Sequence, residues 1–539
     1  MSARRWARLI SACLFAALGA PGHAEELLQE RLQAHIGFLA DDALQGRMTG
    51  SAGYLAAANH VRKQFIEAGL VPAGSEGGWY QSVPIRQASL RPDSAFLVNV
   101  RRGIRSQLKY GEEFYAVPSL AREQARVRAQ AVFAGYGIDA PELGYSDYEG
   151  LDVRGRVAVI FSGMPVELNS EEGAHFASYR EKHRAAVRHG AVGVIRVHTP
   201  RRDRRFAWSR YSENEGLPVM TWLDENQEAF GSHAQLAVNA VVHHSAASVM
   251  FASGAHPLET LVERDEAGDP LPGFQLGIEL EAGQQAHHSR LVSPNVIGML
   301  PGADPELARE CIVYVSHLDH LGERQIAGHD DRIHNGAVDN AAGVAVMLET
   351  ARLFAQAPAP RRSVVFLAVT AEEQGLIGSE YFSRHPTLAD HDMVFVINLD
   401  MPVLLDDLEA LMAFGAERST AGQWVRQAVS EFNIPLVPAL TREENIFVRS
   451  DHYPFVQAGI PAVYLMTTTL EPDSSSAQLT TEYFKRHYHQ PSDDLLLSID
   501  FKAAERFTRI NHRIGALIAE QKDKPTWHSG DFFAGHALR

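Results

Sequence analysis

Three apolar runs in the second half of the chain end in residues that can do chemistry. Ile312–Ser316 is followed by His317-Leu318-Asp319-His320, Val364–Thr370 by Ala371-Glu372-Glu373-Gln374-Gly375, and Met393–Ile397 by Asn398-Leu399-Asp400-Met401. Between the first two lies Asn335-Gly336-Ala337-Val338-Asp339-Asn340-Ala341-Ala342-Gly343, directly ahead of a helical pattern. Each piece has an ordinary reading. His317 and Asp319, two apart on a strand, share a face and could form a structural ion pair, or Asp319 could hold the ring of a metal-binding His317. Asp339 could cap the following helix. Glu372 and Glu373 could be solvated carboxylates in a first turn, and Asp400 a strand-end cap. Taken together they leave a carboxylate-rich pocket with no basic residue in these motifs to offset it. A metal pair would. Zinc takes His nitrogen and carboxylate oxygen while keeping a position open for water. Two metals a few ångström apart commonly share a bridging carboxylate and clamp an attacking water. A last polar group, Tyr488-His489-Gln490-Pro491-Ser492-Asp493-Asp494, lies near the C-terminus.

The elements that must position these residues follow from periodicity. Strands are expected at Ile312–Ser316, Val364–Thr370, Met393–Ile397 and Ala462–Met466, with helices between them, the clearest at Ala341–Ala355 and Phe501–Glu520. Such alternation predicts an α/β fold with a mixed, largely parallel sheet covered by helices on both faces, with ligands held outside the carboxyl ends of the strands. Residues 26 to 70 read as two helices broken around Gly46 and Gly50–Gly53, and 79 to 115 as short strands. From about 116 the texture becomes that of a small β-rich unit: strands at Val127–Phe133, Val157–Phe161 and 190–195, with a helix at Tyr179–His189. Residues 253 to 290, rich in Gly, Pro and charge, read as a return linker. The expected units are thus 1–24, 25–115, 116–285 and 286–539.

The ordered set His317-x-Asp319, Gly336-Ala337-x-Asp339-Asn340-x-x-Gly343, Glu372-Glu373-x-Gly375-x-x-Gly378-Ser379, Asn398-x-Asp400-Met401 and Tyr488-His489 resembles the di-zinc aminopeptidases related to glutamate carboxypeptidase and the transferrin receptor. Gly46-Arg47, Gly50-Ser51 and Ser450-Asp451-His452 ahead of Gly459–Ala462 add to the match. Phe133–Gly137, Asp152–Val157 and His189–Gly193 resemble the protease-associated domain inserted in larger family members. The resemblance implies that His317, Asp339 and Asp400 hold one zinc, that Asp339 bridges to a second held by Glu373 and His489, and that Glu372 is the general base. It implies further that Asp319 orients His317 and that Tyr488 hydrogen-bonds the tetrahedral intermediate. A cis peptide at Asp339–Asn340 is also implied. Ser316, Leu318 and His334 depart from the usual residues, which touches pocket walls rather than ligands. The implied activity is removal of N-terminal residues from peptides with two zinc ions as cofactors. A glutamate-carboxypeptidase-like carboxypeptidase would want arginines for a C-terminal carboxylate. A transferrin-receptor-like binding protein would have lost ligands that are present here, and a glutaminyl cyclase would lack the insert. The insert is expected to shape substrate access, to supply no metal ligand and to be removable from a folded core.

Composition bounds the rest. The 539 residues are 45% hydrophobic and 22% charged, ordinary for a globular chain, with a net charge of −16 that argues against a nucleic-acid partner. The basic run Arg201, Arg202, Arg204, Arg205 reads as a solvated loop. Two cysteines, Cys13 and Cys311, exclude a disulfide scaffold or a Cys-rich zinc site. Arg4, Arg5 and Arg8, the apolar Leu9–Leu18 and small residues before Ala24 predict a signal peptide, and so a periplasmic or secreted protein with no integral membrane segment once the signal is removed. The expected partner is a peptide substrate.

Overall fold

A computed structural model describes residues 21–325, 330–388, 390–438 and 446–535, with side chains from Leu27 onward. The first twenty residues of the expected signal peptide lie outside this description.

The architecture is the expected α/β arrangement. Four parallel strands, in the order Ala462–Thr468, Asp392–Asn398, Glu310–His317 and Ser363–Val369, form the centre of the main sheet. Antiparallel strands flank it: Ala410–Phe414 on one side, and the end of Phe274–Leu300 followed by Tyr80–Leu90 on the other. Alternate residues of Glu310–His317 feed two cores, because successive strand side chains point to opposite faces. Ile312 and Tyr314 pack on one face with the helices Pro21–Leu39, Ala52–Ala68, Gly343–Gln356 and Phe501–Ala519. Cys311, Val313 and Val315 pack on the other, against Phe382 of Ile377–Arg384 and Phe455 of Tyr453–Gln457. Cys311 is fully buried, and burial pushes its thiol up to about 12, which leaves it inert.

The helices form where sequence caps and stripes agree. Ser51 accepts the Tyr54 N–H at the start of Ala52–Ala68, and Gly69 ends that helix at φ 87°. Tyr54, Ala57, Ala58, Val61 and Phe65 are its buried stripe. Asp500 caps Phe501–Ala519, whose stripe runs through Phe507, Ile510, Ile514 and Ile518.

The linker expected at 253–290 is not one. Leu258–Ala267 is a helix, and Phe274–Leu300 is a single strand of 27 residues. Leu276, Ile278, Leu280 and Ala282 alternate into a core, a period-2 signal that the interspersed glycines and charges obscure. This strand belongs to two sheets. Its later part pairs with Tyr80–Leu90 and Ser363–Val369 of the main sheet, and Glu279–Gln285 pairs with Phe96–Arg101 and Gln124–Phe133 of a second. The second sheet continues through the parallel strands Val157–Phe161, Gly193–His198 and Val238–His243 to the antiparallel Phe114–Ala116. The boundary expected at 116 therefore falls inside this unit, which already contains Phe96–Arg101, Ile104–Gln107 and Phe114–Ala116. Val219–Trp222 returns to pair with Tyr80–Leu90, so the two sheets are interleaved rather than joined by a linker.

Candidate metal centre

All eight residues singled out by the sequence converge at the carboxyl ends of the parallel strands. His317 ends its strand, Glu372 and Glu373 follow Ser363–Val369, and Asp400 follows Asp392–Asn398. Asp339 enters from the segment ahead of Gly343–Gln356, and His489 from the turn after the helix Ser475–Arg486.

Asp339 is the hinge of the geometry. Its Oδ1 lies 3.3 Å from His317 Nε2, and its Oδ2 lies 3.2 Å from His489 Nε2. His317 Nε2 also lies 3.0 Å from Asp400 Oδ1, and His489 Nε2 lies 3.2 Å from Glu373 Oε2. Two donor groups thus meet on one carboxylate. His317, Asp339 and Asp400 have ligand atoms close enough to share an ion, and so do His320, Asp339 and Glu373. His320, whose Nδ1 sits 2.7 Å from Glu373 Oε1, is a neighbour that motif reading passed over, although it ends the His317–His320 run.

The backbone around Asp339 is built for this placement. The Asp339–Asn340 peptide is cis, as the resemblance implied. Gly336 has φ 61°, and a Cβ there would come within 2.1 Å of the Asp339 carbonyl and 2.7 Å of the His320 ring. The Asn340 side chain donates to Ser316 Oγ and Leu399 O at 3.1 Å each, and accepts the N–H groups of Gly343 and Met401 at 3.1 Å each. It ties three loops together. Asp493, fully buried, accepts the N–H groups of Val338 at 2.9 Å and Asp339 at 3.0 Å, and the Tyr483 hydroxyl at 3.1 Å.

Asp319 does a different job from the one expected. The ring Nδ1 of His317 lies 3.1 Å from the Asp319 main-chain carbonyl, not from its carboxylate. The carboxylate instead accepts the N–H groups of Glu372 at 3.0 Å and Glu373 at 3.3 Å, and the Thr49 hydroxyl at 3.2 Å. It fixes the turn that carries both glutamates. Asp400 is held from behind by the Ser450 hydroxyl on its Oδ2, and the Tyr464 hydroxyl donates to its carbonyl at 3.0 Å. Tyr488 stacks on His489 with ring centroids 3.9 Å apart.

The electrostatics match a cation site. Burial, with Glu373, Asp451 and Asp400 nearby, pushes Glu372 well above the usual carboxylate range against the pull of His317. Burial opposes ionisation of Glu373 too, but His489 and His320 outweigh it and hold Glu373 well below that range. Burial would lower His489, yet Glu373 and Asp339 raise it to about 10. One balancing cation comes from outside the strand-end motifs, from the N-terminal Gly46-Arg47 pair. Arg47, 1% exposed, donates to the carbonyls of Leu318, Asn335 and Gly336 and feels Asp493, Asp339, Asp319 and Glu373. The donor set is nitrogen and oxygen without Cys, carboxylate-rich, and fits zinc.

The fold is shared with the aminopeptidase from Aneurinibacillus sp. strain AM-1. That match covers 92% of this chain and 97% of that one, with a TM-score of 0.52 at 21% identity, a likeness of fold alone. In sequence, residues 295–514 match the model of Peptidase family M28, in line with the resemblance read from the motifs. A probable zinc metalloprotease of Pyrenophora tritici-repentis is 47% identical over 66 residues, which is 12% of this chain and 15% of that protein. Aminopeptidase YwaD of Bacillus subtilis is 27% identical over 220 residues, which is 39% of this chain and 43% of that protein. The matches therefore span less than half the length of these relatives. No described helix is long and apolar enough to cross a membrane.

Proposed function

We propose that this protein is a di-zinc exopeptidase that removes N-terminal residues from peptides. The observation that carries the reading is Asp339, with one carboxylate oxygen toward His317, which also meets Asp400, and the other toward His489, which also meets Glu373. One zinc would be held by His317, Asp339 and Asp400, the second by Asp339, Glu373 and His489. Zinc bound there supplies Lewis acidity toward the peptide carbonyl and lowers the pKa of water. Glu372, which no histidine pairs, takes the proton of the attacking water and passes it to the leaving amine. Its raised proton affinity suits that task. The Tyr488 hydroxyl stabilises the oxyanion. The carboxylate of Asp319 keeps the Glu372–Glu373 turn in register. Residues 96–283 are read as the protease-associated insert, and the basic start and apolar stretch before Ala24 as an export signal that directs the chain to the periplasm or outside the cell.

The test is an assay on aminoacyl anilides and on peptides blocked at either end, before and after chelation. Cleavage of substrates with a free N-terminus, loss on chelation and recovery with zinc are expected. Turnover of N-blocked peptides with a free C-terminus, and none of the others, would replace this reading with a carboxypeptidase. Native mass spectrometry counts the ions, and amino-terminal sequencing of the exported chain checks the cut after Ala24.

A further inference from the structure

A second cluster of chemistry-bearing side chains lies in the second sheet and takes no part in the metal centre. Val157–Phe161, Gly193–His198 and Val238–His243 run parallel there, and the carboxyl ends of such strands are where open α/β sheets hold ligands. Ser162 directly follows the first of them, Arg196 lies in the second, and Arg202 lies on Pro200–Asp203 just beyond it. Lys182 reaches in from the helix Tyr179–Arg188. Arg196 is 7% exposed, Ser162 4% and Lys182 1%. Tyr179 shows how closely they gather. The Arg196 guanidinium carbon sits 4.0 Å from its ring centroid. Burial would raise its phenol, but Arg196, Arg202 and Lys182 together pull it down to about 7.

Among the described residues no carboxylate pairs with these cations, and the nearest group that can carry negative charge is the Tyr179 phenol. Among the described residues neither arginine side chain makes an ion pair or hydrogen bond, and Lys182 Nζ bonds only the Gly163 carbonyl, at 2.6 Å. Asp147, the carboxylate that Lys182 feels, already accepts from the N–H groups of Tyr136 and Ile138 and from the Tyr145 hydroxyl. Arg196 Nε and Arg202 Nε are buried without a hydrogen-bond partner, and Ser162 Oγ lies near enough to the Tyr179 hydroxyl to help lower it. Buried charge and buried donors are costly unless satisfied. Three cations gathered without a carboxylate partner in a chain of net charge −16 are the reverse of what packing alone would select.

We propose that Arg196, Arg202, Lys182 and Ser162 form a binding site for a compact oxyanion, a carboxylate or phosphate group. Planar guanidinium N–H groups match two oxygens of such an anion, the ammonium adds charge, and the serine hydroxyl completes the set. Two chains of neighbouring residues run from the site toward the metal centre. Arg180, beside Tyr179, pairs with Glu380 on the helix Ile377–Arg384, which follows the Glu372–Glu373 turn. Tyr211, within charge reach of Arg196 and Arg202, is three residues from Asn214, which accepts from Arg324, a cation that feels Glu373. The anion is either free in solution or the carboxylate end of a peptide. The second source rests on the peptidase reading, and binding of free anion does not.

Calorimetric titration of the full chain with inorganic phosphate, at constant ionic strength against chloride, tests the site without turnover. Saturable binding is expected, weakened about tenfold or more in Arg202→Gln and in Arg196→Gln, the scale of one lost charge-assisted hydrogen bond. Circular dichroism and zinc content check that each variant is folded and loaded. If Arg196→Gln does not fold, the less buried Arg202→Gln decides. No saturable binding of phosphate or acetate, or equal binding in the variants, overturns the proposal. So does tyrosinate absorbance at neutral pH that disappears in Tyr179→Phe and does not respond to phosphate, because the cations then have an internal counter-ion. Where the site binds, a KM that rises in Arg202→Gln for a peptide with a free C-terminus but not for its amidated twin assigns the anion to the substrate. Equal KM for both peptides assigns it to a free ion.

Discussion

Glu372 and Glu373 are adjacent in sequence and opposite in surroundings. Glu373 faces two imidazoles, His320 and His489, which hold it ionised, whereas burial and neighbouring carboxylates leave Glu372 with a raised proton affinity. Glu372→Gln is therefore expected to lower turnover by ~10²–10⁴-fold with zinc content intact, the scale of a lost general base. Glu373→Gln is expected to lose metal, read by native mass spectrometry. The opposite pattern would exchange the two roles. Asp493 touches no proposed ligand side chain but fixes the main chain of Asp339. Asp493→Asn removes one acceptor oxygen from that pair of N–H bonds. Zinc affinity is expected to fall about 10–100-fold with unchanged circular dichroism, the usual cost of disturbing a group that orients a ligand. An unchanged affinity in a competition titration would show that the cradle is dispensable.

Elements are held to one another by a few buried polar clamps. Arg362, fully buried, joins the start of Ser363–Val369 to the carboxyl end of Phe501–Ala519 by donating to the carbonyls of Ile518, Gln521 and Lys522 and to Glu310 Oε2 at 2.7 Å. Those carbonyls sit where a helix leaves acceptors without internal partners and where its dipole favours a cation. Arg362→Met conserves most of the volume and removes every donor. A loss of about 2–4 kcal/mol in urea unfolding is expected from buried acceptors left unpaired. A change below about 1 kcal/mol would mean that water replaces the clamp.

At the scale of the whole molecule, the inserted unit is docked rather than appended. Glu380, 2% exposed, receives Arg180 and the Trp222 indole N–H, the latter at 3.0 Å. Arg418 donates to Glu171 and Glu172 of the insert and to Asp531, and His175 of the insert bonds the Tyr453 hydroxyl. Deleting 116–285 would cut the long strand between its two sheets and remove Val219–Trp222 from the main one, so a folded core is not expected to survive it. Glu380→Gln is the gentler probe. Faster amide exchange over 171–188 and 219–222, a few-fold rise in KM and unchanged zinc content are expected. Exchange rates equal to the parent would show that this contact does not hold the insert.

The order of the strand-end motifs, the apolar strands between them and the capped helices were legible in the sequence because each is a local pattern: a run, a period or a cap. The candidate donors His317, Asp339, Glu372, Glu373 and Asp400 were legible for the same reason, each sitting at the end of such a pattern, whereas His489 stood out only through the resemblance to the family's motif. Long-range contacts were not. Arg47, from the N-terminal turn, lies beneath carboxylates more than 250 residues later in the chain. The 274–300 strand is shared by two sheets only because its pairing partners, 96–101, 124–133, 80–90 and 363–369, arrive from both ends of the chain. Asp319 serves two main-chain N–H groups instead of the His317 ring, since the turn after Val369 folds back within reach of its carboxylate. Periodicity determines which face a residue occupies. Only the packed chain decides which donor lies within hydrogen-bond distance of which acceptor.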